Sequence, residues 1–368
     1  MLFPPNAYRS FKSKEVKKIN SKQLLLDTLV KPVKADRRPV SLIGGGAWTL
    51  RQGGSSFREM AGKLVEDPAA LSTIMVSLAN KLGEGIVYVG AGYNNVIAAL
   101  IRGVDLIYTA DFSPYLPGFS SEETEKFIKE CDSFDFKKIW EDPLLASFLA
   151  VAEQVKASLK ESCVIAPLTW GPFTLAGQLI GVESLMRKMV KDPEAAKAVI
   201  DLSVNAVCEY YRPFVDKGLV DMVYLPEPTA SGDMISARIF EKFAAPALNK
   251  CLEPYHRKEL PTMVHICGKL PANQLAMLDN VENMDAVSID CKVPLKDARD
   301  NLKNKCILGN LDTLRLERAS ETEIIGDLEK IMAEMEGHDR FILAPACDLA
   351  PATPFSHVKT LFDFVHLH

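Results

Sequence analysis

A histidine and two cysteines in this chain have the residue types and the spacing of metal ligands. His265 and Cys267 stand two residues apart at the end of one apolar run, and Cys347 ends another apolar run far downstream. Side chains at i and i+2 of a β-strand point to the same face, so the imidazole and the first thiol can bind one ion. Zinc takes His and Cys ligands in tetrahedral sites, and catalytic zinc keeps one position open. The sequence therefore predicts a zinc site formed by His265, Cys267 and Cys347.

Two other interpretations of these residues remain open. A buried histidine is often a hydrogen-bonded core residue without any metal. A zinc ion with four protein ligands is structural, because no position is left for a substrate. A zinc site with three protein ligands and one open position can be catalytic, whereas a fourth protein ligand would make the site structural.

Length and composition favour a large globular protein. The chain has 368 residues, of which 48% are hydrophobic and 25% charged, enough for one α/β barrel or two ordinary domains. The net charge of −5 argues against a nucleic-acid partner. No apolar run approaches the roughly 18–20 residues of a membrane helix, and the first residues do not resemble a signal peptide. We therefore expect a cytoplasmic protein without a membrane partner, whose eight scattered cysteines are thiols.

Eight short apolar runs alternate with helical stretches along the chain. Apolar runs without polar alternation are typical of parallel strands buried on both faces. Eight such strands with intervening helices indicate a (β/α)8 TIM barrel, and a doubly wound open sheet is the alternative. The runs comprise residues 40–44, 85–90, 163–168, 221–226, 262–266, 285–290, 305–310 and 340–345.

The chain outside the strands predicts one domain with two additions. Residues 1–20 are polar and basic and are interpreted as an N-terminal arm. Helical spacing over 21–31 predicts an N-terminal helical extension, and 21–368 is expected to form a single barrel domain. Residues 111–143 form a long insertion, interpreted as a lid or docking surface, in which Ser120 and Glu123 predict a capping box.

Polar and aromatic residues follow several of the predicted strands. The active sites of TIM barrels lie at the carboxyl ends of the strands, which makes these residues candidates for the pocket. They can equally cap helices or fill the rim of the barrel. The candidates are Tyr93, Trp170, Glu227, Asp290 and Asn310.

The residues around the metal motif resemble the uroporphyrinogen decarboxylase superfamily, and most closely its zinc-dependent, corrinoid-linked methyltransferase branch. The resemblance extends over about residues 20–365 and implies a TIM barrel. It places the zinc motif of that branch, His-x-Cys followed by a distant Cys, on His265, Cys267 and Cys347. The matching segments are 171–181, 192–196, 227–246, 265–300, 307–313 and 342–361.

The resemblance implies methyl transfer between a corrinoid and a thiol such as coenzyme M. Zinc removes the proton of the thiol, and the thiolate attacks the methyl carbon of methylcobalamin and leaves cobalt(I). Glu227, Asp290 and Asn310 are then candidate catalytic residues, and Tyr93 and Trp170 candidate contacts of the corrin ring. The chain has no Asp-x-His-x-x-Gly segment for cobalamin, so a partner corrinoid protein is expected to carry the cofactor.

Two departures from the family pattern bear on the function. The decarboxylases carry Arg-Gln-Ala-Gly-Arg where this chain has residues 51–55, Arg-Gln-Gly-Gly-Ser, so uroporphyrinogen decarboxylation is the least favoured activity. Many relatives have a glutamate, a possible fourth zinc ligand, where this chain has Cys291. Cys291 is therefore a candidate fourth ligand that yields to the substrate, or else a packed thiol.

Other functions of the same class remain open. The chain could move a methyl group from a methylated small molecule to a corrinoid protein, or from a methylcorrinoid to tetrahydrofolate. A protein that only docks a corrinoid protein is a further possibility, against which the intact set of metal ligands argues.

Overall fold

The structure, a computed structural model, describes residues 20–110 and 112–367, with the side chain of Asp132 left out. Of the predicted N-terminal arm, residues 1–19 lie outside the described residues. Asn20 is described and caps the first helix, because its side chain accepts a hydrogen bond from the Gln23 N–H at 2.7 Å.

Seven parallel strands form the centre of the described chain. The first two pair with each other, and the other five form a sheet in the order of the sequence. An isolated bridge between Leu168 and Tyr224 joins the two sheets. Parallel neighbours in sequence order, each reached through a helical connection, are the arrangement of a barrel. The strands are β1 (Ile86–Val89), β2 (Val164–Pro167), β3 (Val223–Pro226), β4 (Thr262–Ile266), β5 (Ala286–Ile289), β6 (Cys306–Leu311) and β7 (Phe341–Pro345).

The predicted strand at 40–44 takes the eighth place in the barrel but is not a regular strand. Val40 alone pairs, with Leu343 of β7. On the other side the Ser41 hydroxyl replaces a backbone carbonyl and accepts a hydrogen bond from the Ile86 N–H at 3.0 Å. Gly44 and Gly45 then turn the chain with φ of 73° and 97°, which ends the extended segment early. The α/β class and the barrel order of the strands are thus confirmed, while the length of this strand was predicted wrongly.

Helices surround the strands and cover their outer faces. The α-helices are α1 (Ser21–Val30), α2 (Gly46–Gln52), α3 (Phe57–Glu66), α4 (Ala69–Leu82), α5 (Val96–Arg102), α6 (Ser121–Glu130), α7 (Pro143–Leu159), α8 (Pro172–Ile180), α9 (Val182–Lys191), α10 (Pro193–Asp216), α11 (Ala237–Ile239), α12 (Ala245–His256), α13 (Ala272–Asp279), α14 (Leu295–Asn301), α15 (Thr313–Arg318), α16 (Glu321–Glu334) and α17 (Phe355–Leu367). Shorter 3-10 segments are Cys131–Ser133, Phe136–Trp140 and Pro228–Ala230, and a π-helical segment is Phe240–Ala244. None of the described helices is long and apolar enough to cross a membrane.

The predicted N-terminal helical extension is present as α1 and closes one end of the barrel. Leu25 and Leu29 are fully buried and pack with the side chains that fill the barrel interior, such as Met263 and Ile342. The Arg340 guanidinium ties the end of this helix to the barrel by donating to the Leu29 carbonyl at 2.6 Å. The helix α1 thus covers the amino ends of the strands. The cavity described below lies at the opposite, carboxyl ends.

The insertion at 111–143 lies mainly against the outer helices. The predicted capping box of Ser120 and Glu123 is confirmed at the start of α6. The indole N–H of Trp140 donates to the Glu209 carbonyl of α10 at 2.9 Å, which holds the second half of the insertion to the helix layer. Among the described residues of the insertion, Ser113 lines the cavity at the mouth of the barrel.

Candidate metal centre

The structure brings His265, Cys267 and Cys347 together at the carboxyl ends of the strands. His265 lies in β4, Cys267 follows that strand directly, and Cys347 lies two residues beyond β7. The Cys267 Sγ is 2.8 Å from His265 Nε2 and 3.0 Å from the Cys347 Sγ. Cys347 Sγ lies 3.5 Å from the same imidazole nitrogen. In the described part of the chain, this is the one group of three or more His, Cys, Asp or Glu residues with the geometry of a metal site.

The closed barrel is what makes this cluster possible. β4 and β7 are three strands apart in the sheet, a separation of about 14 Å if the sheet were flat. The 3.0 Å between the two sulfur atoms shows that the sheet curves until these strand ends face each other. Residues 80 positions apart in sequence thereby form one site.

Ser288 fixes the orientation of the imidazole. It is the register partner of His265 on β5, so both side chains point to the same side of the sheet. The Ser288 hydroxyl lies 3.0 Å from His265 Nδ1, which leaves Nε2 directed at the two cysteines. A partner at the second ring nitrogen is the usual arrangement of a metal-binding histidine. Sequence reasoning missed Ser288, although a serine within an apolar strand was a signal for it.

The two thiols lie within hydrogen-bond distance of each other, and this contact shifts the pKa of both. A hydrogen bond from Cys267 and the nearby His265 charge overcome burial and lower the pKa of Cys347 to about 4. The same Cys347 hydrogen bond, together with burial, raises the pKa of Cys267. Burial lowers the pKa of His265, but the Cys347 thiolate outweighs it, and the net shift is upward. The arrangement thus favours ionisation of Cys347 over ionisation of Cys267.

The donor set has the chemistry and the size of a zinc site. An imidazole nitrogen and two thiol sulfurs lie within 4.8 Å of one another. Tetrahedral zinc separates ligand atoms of these types by about 3.6 Å, so the three side chains need to spread by less than ~1 Å. Three protein ligands also leave a fourth position free, which is the pattern of catalytic rather than structural zinc.

An open cavity lies above the three candidate ligands. Its wall includes all three, and Trp170 lies at its side, as expected for a residue that follows β2. The Trp170 indole N–H donates to Asn95 Oδ1 at 2.7 Å, which fixes the ring. The remaining lining residues comprise Ile43, Gly44, Ala91, Gly92, Asn94, Ser113, Leu168, Tyr224, Pro226, Pro228 and Asp348.

Asp348 places a carboxyl group in this cavity beside the metal ligands. Its Oδ1 accepts a hydrogen bond from the Gly45 N–H, which ties the segment after β7 to the turn before α2. The side chain is exposed and lines the cavity. Desolvation and the neighbouring Cys347 thiolate raise the pKa of Asp348 to about 7. The hydrogen bond from the Gly45 N–H lowers this pKa, but by less. The sequence motif Ala-Cys-Asp placed this residue near the site, but its role was not predicted.

Glu227, a predicted catalytic residue, faces away from the cavity. It is fully buried, and its two carboxylate oxygens accept hydrogen bonds from the N–H groups of Phe173 at 2.9 Å and Thr174 at 2.7 Å. These are unsatisfied donors of the first turn of α8, so Glu227 caps that helix from a neighbouring loop. Burial raises the pKa of this carboxyl to about 7 despite the three hydrogen bonds from Thr174 and Phe173.

Asp290 and Asn310 organise the loop that follows β5. Asp290 accepts hydrogen bonds from the N–H groups of Gly268 and Lys292, both at 2.9 Å. Burial raises its pKa, but these two donors reverse the effect and the net shift is downward. The Asn310 amide donates to the carbonyls of Asp290 at 3.2 Å and Val293 at 2.9 Å. Neither side chain is among the residues that line the cavity.

Cys291 and Tyr93 are not brought into the site. Cys291 is exposed, and its thiol lies 3.4 Å from Asp290 Oδ1 rather than within the three-ligand cluster. Partial desolvation of the sulfur and the Asp290 charge raise its pKa to about 12, so the thiol holds its proton. Tyr93 is buried between the aromatic rings of Phe57 and Phe148, in the layer between strands and helices.

These features define a class of protein: a parallel α/β barrel with three zinc-type ligands at the base of an open cavity at its mouth. The chain belongs to the uroporphyrinogen decarboxylase (URO-D) family, whose model matches residues 96–368. The family predicted from the sequence motifs is thus confirmed.

Among curated proteins the chain is similar to methyltransferases of methanogens. It is 26% identical over 193 residues to the methylcobamide:CoM methyltransferase MtbA of Methanosarcina acetivorans, covering 52% of this chain and 55% of the relative. It is 31% identical over 197 residues to the methylcobamide:CoM methyltransferase MtaA of Methanosarcina barkeri strain Fusaro, covering 52% and 54%. The similarity thus spans about half the length of these curated relatives.

A solved structure shares the whole fold. A methyltransferase from Methanosarcina mazei superimposes with a TM-score of 0.76 over 95% of this chain and 99% of that one, at 20% sequence identity. The two chains therefore share one fold over most of their length.

Proposed function

We propose that this protein is a zinc-dependent methyltransferase that moves a methyl group between a corrinoid and a small thiol. One observation carries the proposal: an imidazole and two thiols converge within 4.8 Å at the base of an open cavity. The names of the curated relatives, which act on methylcobamide and CoM, agree with this chemistry.

The residues of the chain prepare a thiol for nucleophilic attack. Ser288 orients His265, and the closed barrel sets Cys267 and Cys347 beside the imidazole, so that the three can hold a zinc ion with one position directed into the cavity. Zinc bound there would supply the positive charge that lowers the pKa of an incoming thiol, which is near 8.5 when free.

The reaction balances as a displacement at carbon. The substrate thiol loses its proton to solvent, and its sulfur forms a bond to the methyl carbon. The carbon–cobalt bond breaks, and its electron pair stays on cobalt, which changes from cobalt(III) to cobalt(I). The protein contributes position, because a thiol held at the base of the cavity is oriented toward a methyl group that arrives at the barrel mouth. The reverse transfer uses the same residues.

The corrinoid is proposed to arrive at the barrel mouth on a partner protein. The chain itself is proposed to form one domain over 21–368, with the insertion contributing Ser113 to the cavity rim. Trp170, held by Asn95 at the side of the cavity, is proposed to contact the corrin ring.

Loss of the methyl–cobalt absorbance of methylcobalamin, followed with and without added thiol, tests the activity. We expect thiol-dependent demethylation by the zinc-loaded protein. His265→Ala and Cys347→Ser should lower the rate on the order of a hundredfold or more, since both the position and the charge of the site are lost.

Cys291→Ser is the matched control, because it removes a thiol at the same end of the barrel from outside the cluster. It should retain the activity. Equal rates in all of these variants would show that the cluster does not take part in the reaction.

A further inference from the structure

The charge at the cavity wall bears on which substrate the site accepts. A divalent cation with two thiolates and a neutral imidazole has no net charge. The charge met by the rest of a bound substrate is then set by the other residues of the wall. Of these, Asp348 is the ionisable acid in the lining, and the described lining residues include no lysine or arginine.

The other lining groups favour neutral or positively charged partners. Trp170 and Tyr224 contribute aromatic side chains to the lining, and aromatic groups attract cations rather than anions. Asn94 and Ser113 offer amide and hydroxyl groups that hydrogen-bond to uncharged polar atoms. An anion placed here would meet a carboxyl group and lose its hydration without gaining an ion pair.

We infer that this cavity selects small thiols, and their methylated products, whose far end is uncharged or cationic over those whose far end is an anion. The inference rests on the proposed function, since it names the substrate class of the same site. It separates this chain from an enzyme built for coenzyme M, whose far end is a sulfonate.

Three thiols that differ only at the far end test the inference. Cysteamine, 2-mercaptoethanol and 2-mercaptoethanesulfonate share the HS–CH2–CH2 unit and end in an ammonium, a hydroxyl and a sulfonate. Titration calorimetry with zinc-loaded protein gives their dissociation constants without any need for turnover. We expect the sulfonate to bind at least roughly tenfold more weakly than cysteamine, since one partly screened charge interaction is of that size.

The S-methyl derivatives of the three thiols serve as a control for thiol acidity. They have no S–H group, so differences in thiol pKa cannot produce the ranking. The same order of affinities is expected for them.

Asp348→Asn tests the residue on which the selectivity depends. Asparagine keeps an oxygen that can accept from the Gly45 N–H, so the turn stays intact while the charge is removed. The ratio of the sulfonate and cysteamine dissociation constants should fall toward one. Asp312→Asn is the matched control, because Asp312 caps α15 after β6 and lies outside the lining. It should leave the ratio unchanged.

The results separate the inference from the proposed function. Tightest binding of the sulfonate, equal binding of all three thiols, or no binding of any would overturn the inference. Preference for cysteamine without demethylation of methylcobalamin would support the inference and contradict the proposed reaction. Demethylation driven best by the sulfonate would support the reaction and contradict the inference.

Discussion

Glu227 provides a test in which the sign of the result separates two physical effects. The carboxyl is fully buried, which disfavours its charge, but it accepts hydrogen bonds from the amino end of α8, which favour the charge. The effect of burial is the larger of the two, and the pKa of Glu227 is raised from 4.5 to about 7. A group whose folded-state pKa is raised stabilises the fold below its unfolded-state pKa, and this stabilisation is lost as the pH rises through about 7.

The magnitude follows from the two pKa values. Between pH 5 and pH 8, ionisation of Glu227 should reduce the free energy of unfolding by about 2–3 kcal/mol. Glutamine cannot ionise, so the free energy of unfolding of Glu227→Gln should not show this decrease. Relative to the wild type, the variant should therefore become more stable by this amount between pH 5 and pH 8. For a chain of this length, the difference in melting temperature between variant and wild type should rise by about 3 °C from pH 5 to pH 8.

The assay is thermal unfolding followed by circular dichroism at both pH values, with equal zinc content in all samples. Glu241→Gln, which replaces an exposed glutamate, is the control and should show the same difference at both pH values. A melting-temperature difference that falls with pH in Glu227→Gln would refute the reasoning. It would show that the helix donors outweigh burial and that the pKa of Glu227 is lowered.

Further predictions concern the metal ligands and the aromatic wall. Ser288→Ala should weaken zinc binding by about 10–100-fold in competition with a chromophoric chelator, because the imidazole loses its hydrogen bond at Nδ1, and an unchanged affinity would exclude an orienting role. Cys291→Ser should keep the X-ray absorption spectrum of bound zinc unchanged, and loss of a sulfur ligand would instead show that Cys291 joins the site when the metal binds. Trp170→Ala should raise the KM for methylcobalamin more than it lowers kcat, and an unchanged KM would remove the indole from the corrinoid contact.

Much of the fold was predictable from the sequence because parallel strands buried on both faces consist of continuous runs of apolar residues. The exception is 40–44, where apolar residues lie in an extended segment that pairs only at Val40. Its hydrogen bond to β1 comes from the side chain of Ser41, and its end is set by two glycines with positive φ. A side chain that accepts a hydrogen bond in place of a backbone carbonyl does not change the hydropathy pattern, so the pattern could not reveal this irregularity.

The clustering of His265, Cys267 and Cys347 was predictable because strand geometry and ligand chemistry point to the same three residues. Residues i and i+2 share a face, and barrel closure makes the distance in sequence to Cys347 unimportant. The other candidates show the limit of this reasoning. Glu227 and Asn310 follow strands as predicted, but their side chains point to the free N–H groups of α8 and to loop carbonyls. The direction of a side chain in a loop depends on which buried polar groups need a partner, and that information comes from tertiary contacts.

Metal content of the purified protein tests the central claim most directly. Protein prepared without chelator should contain one zinc per chain, with X-ray absorption showing at least one nitrogen and two sulfur ligands from His265, Cys267 and Cys347. His265→Ala and Cys347→Ser should lose the metal. Wild-type protein that contains no zinc and fails to take up added zinc would contradict the account and leave the barrel without its proposed chemistry.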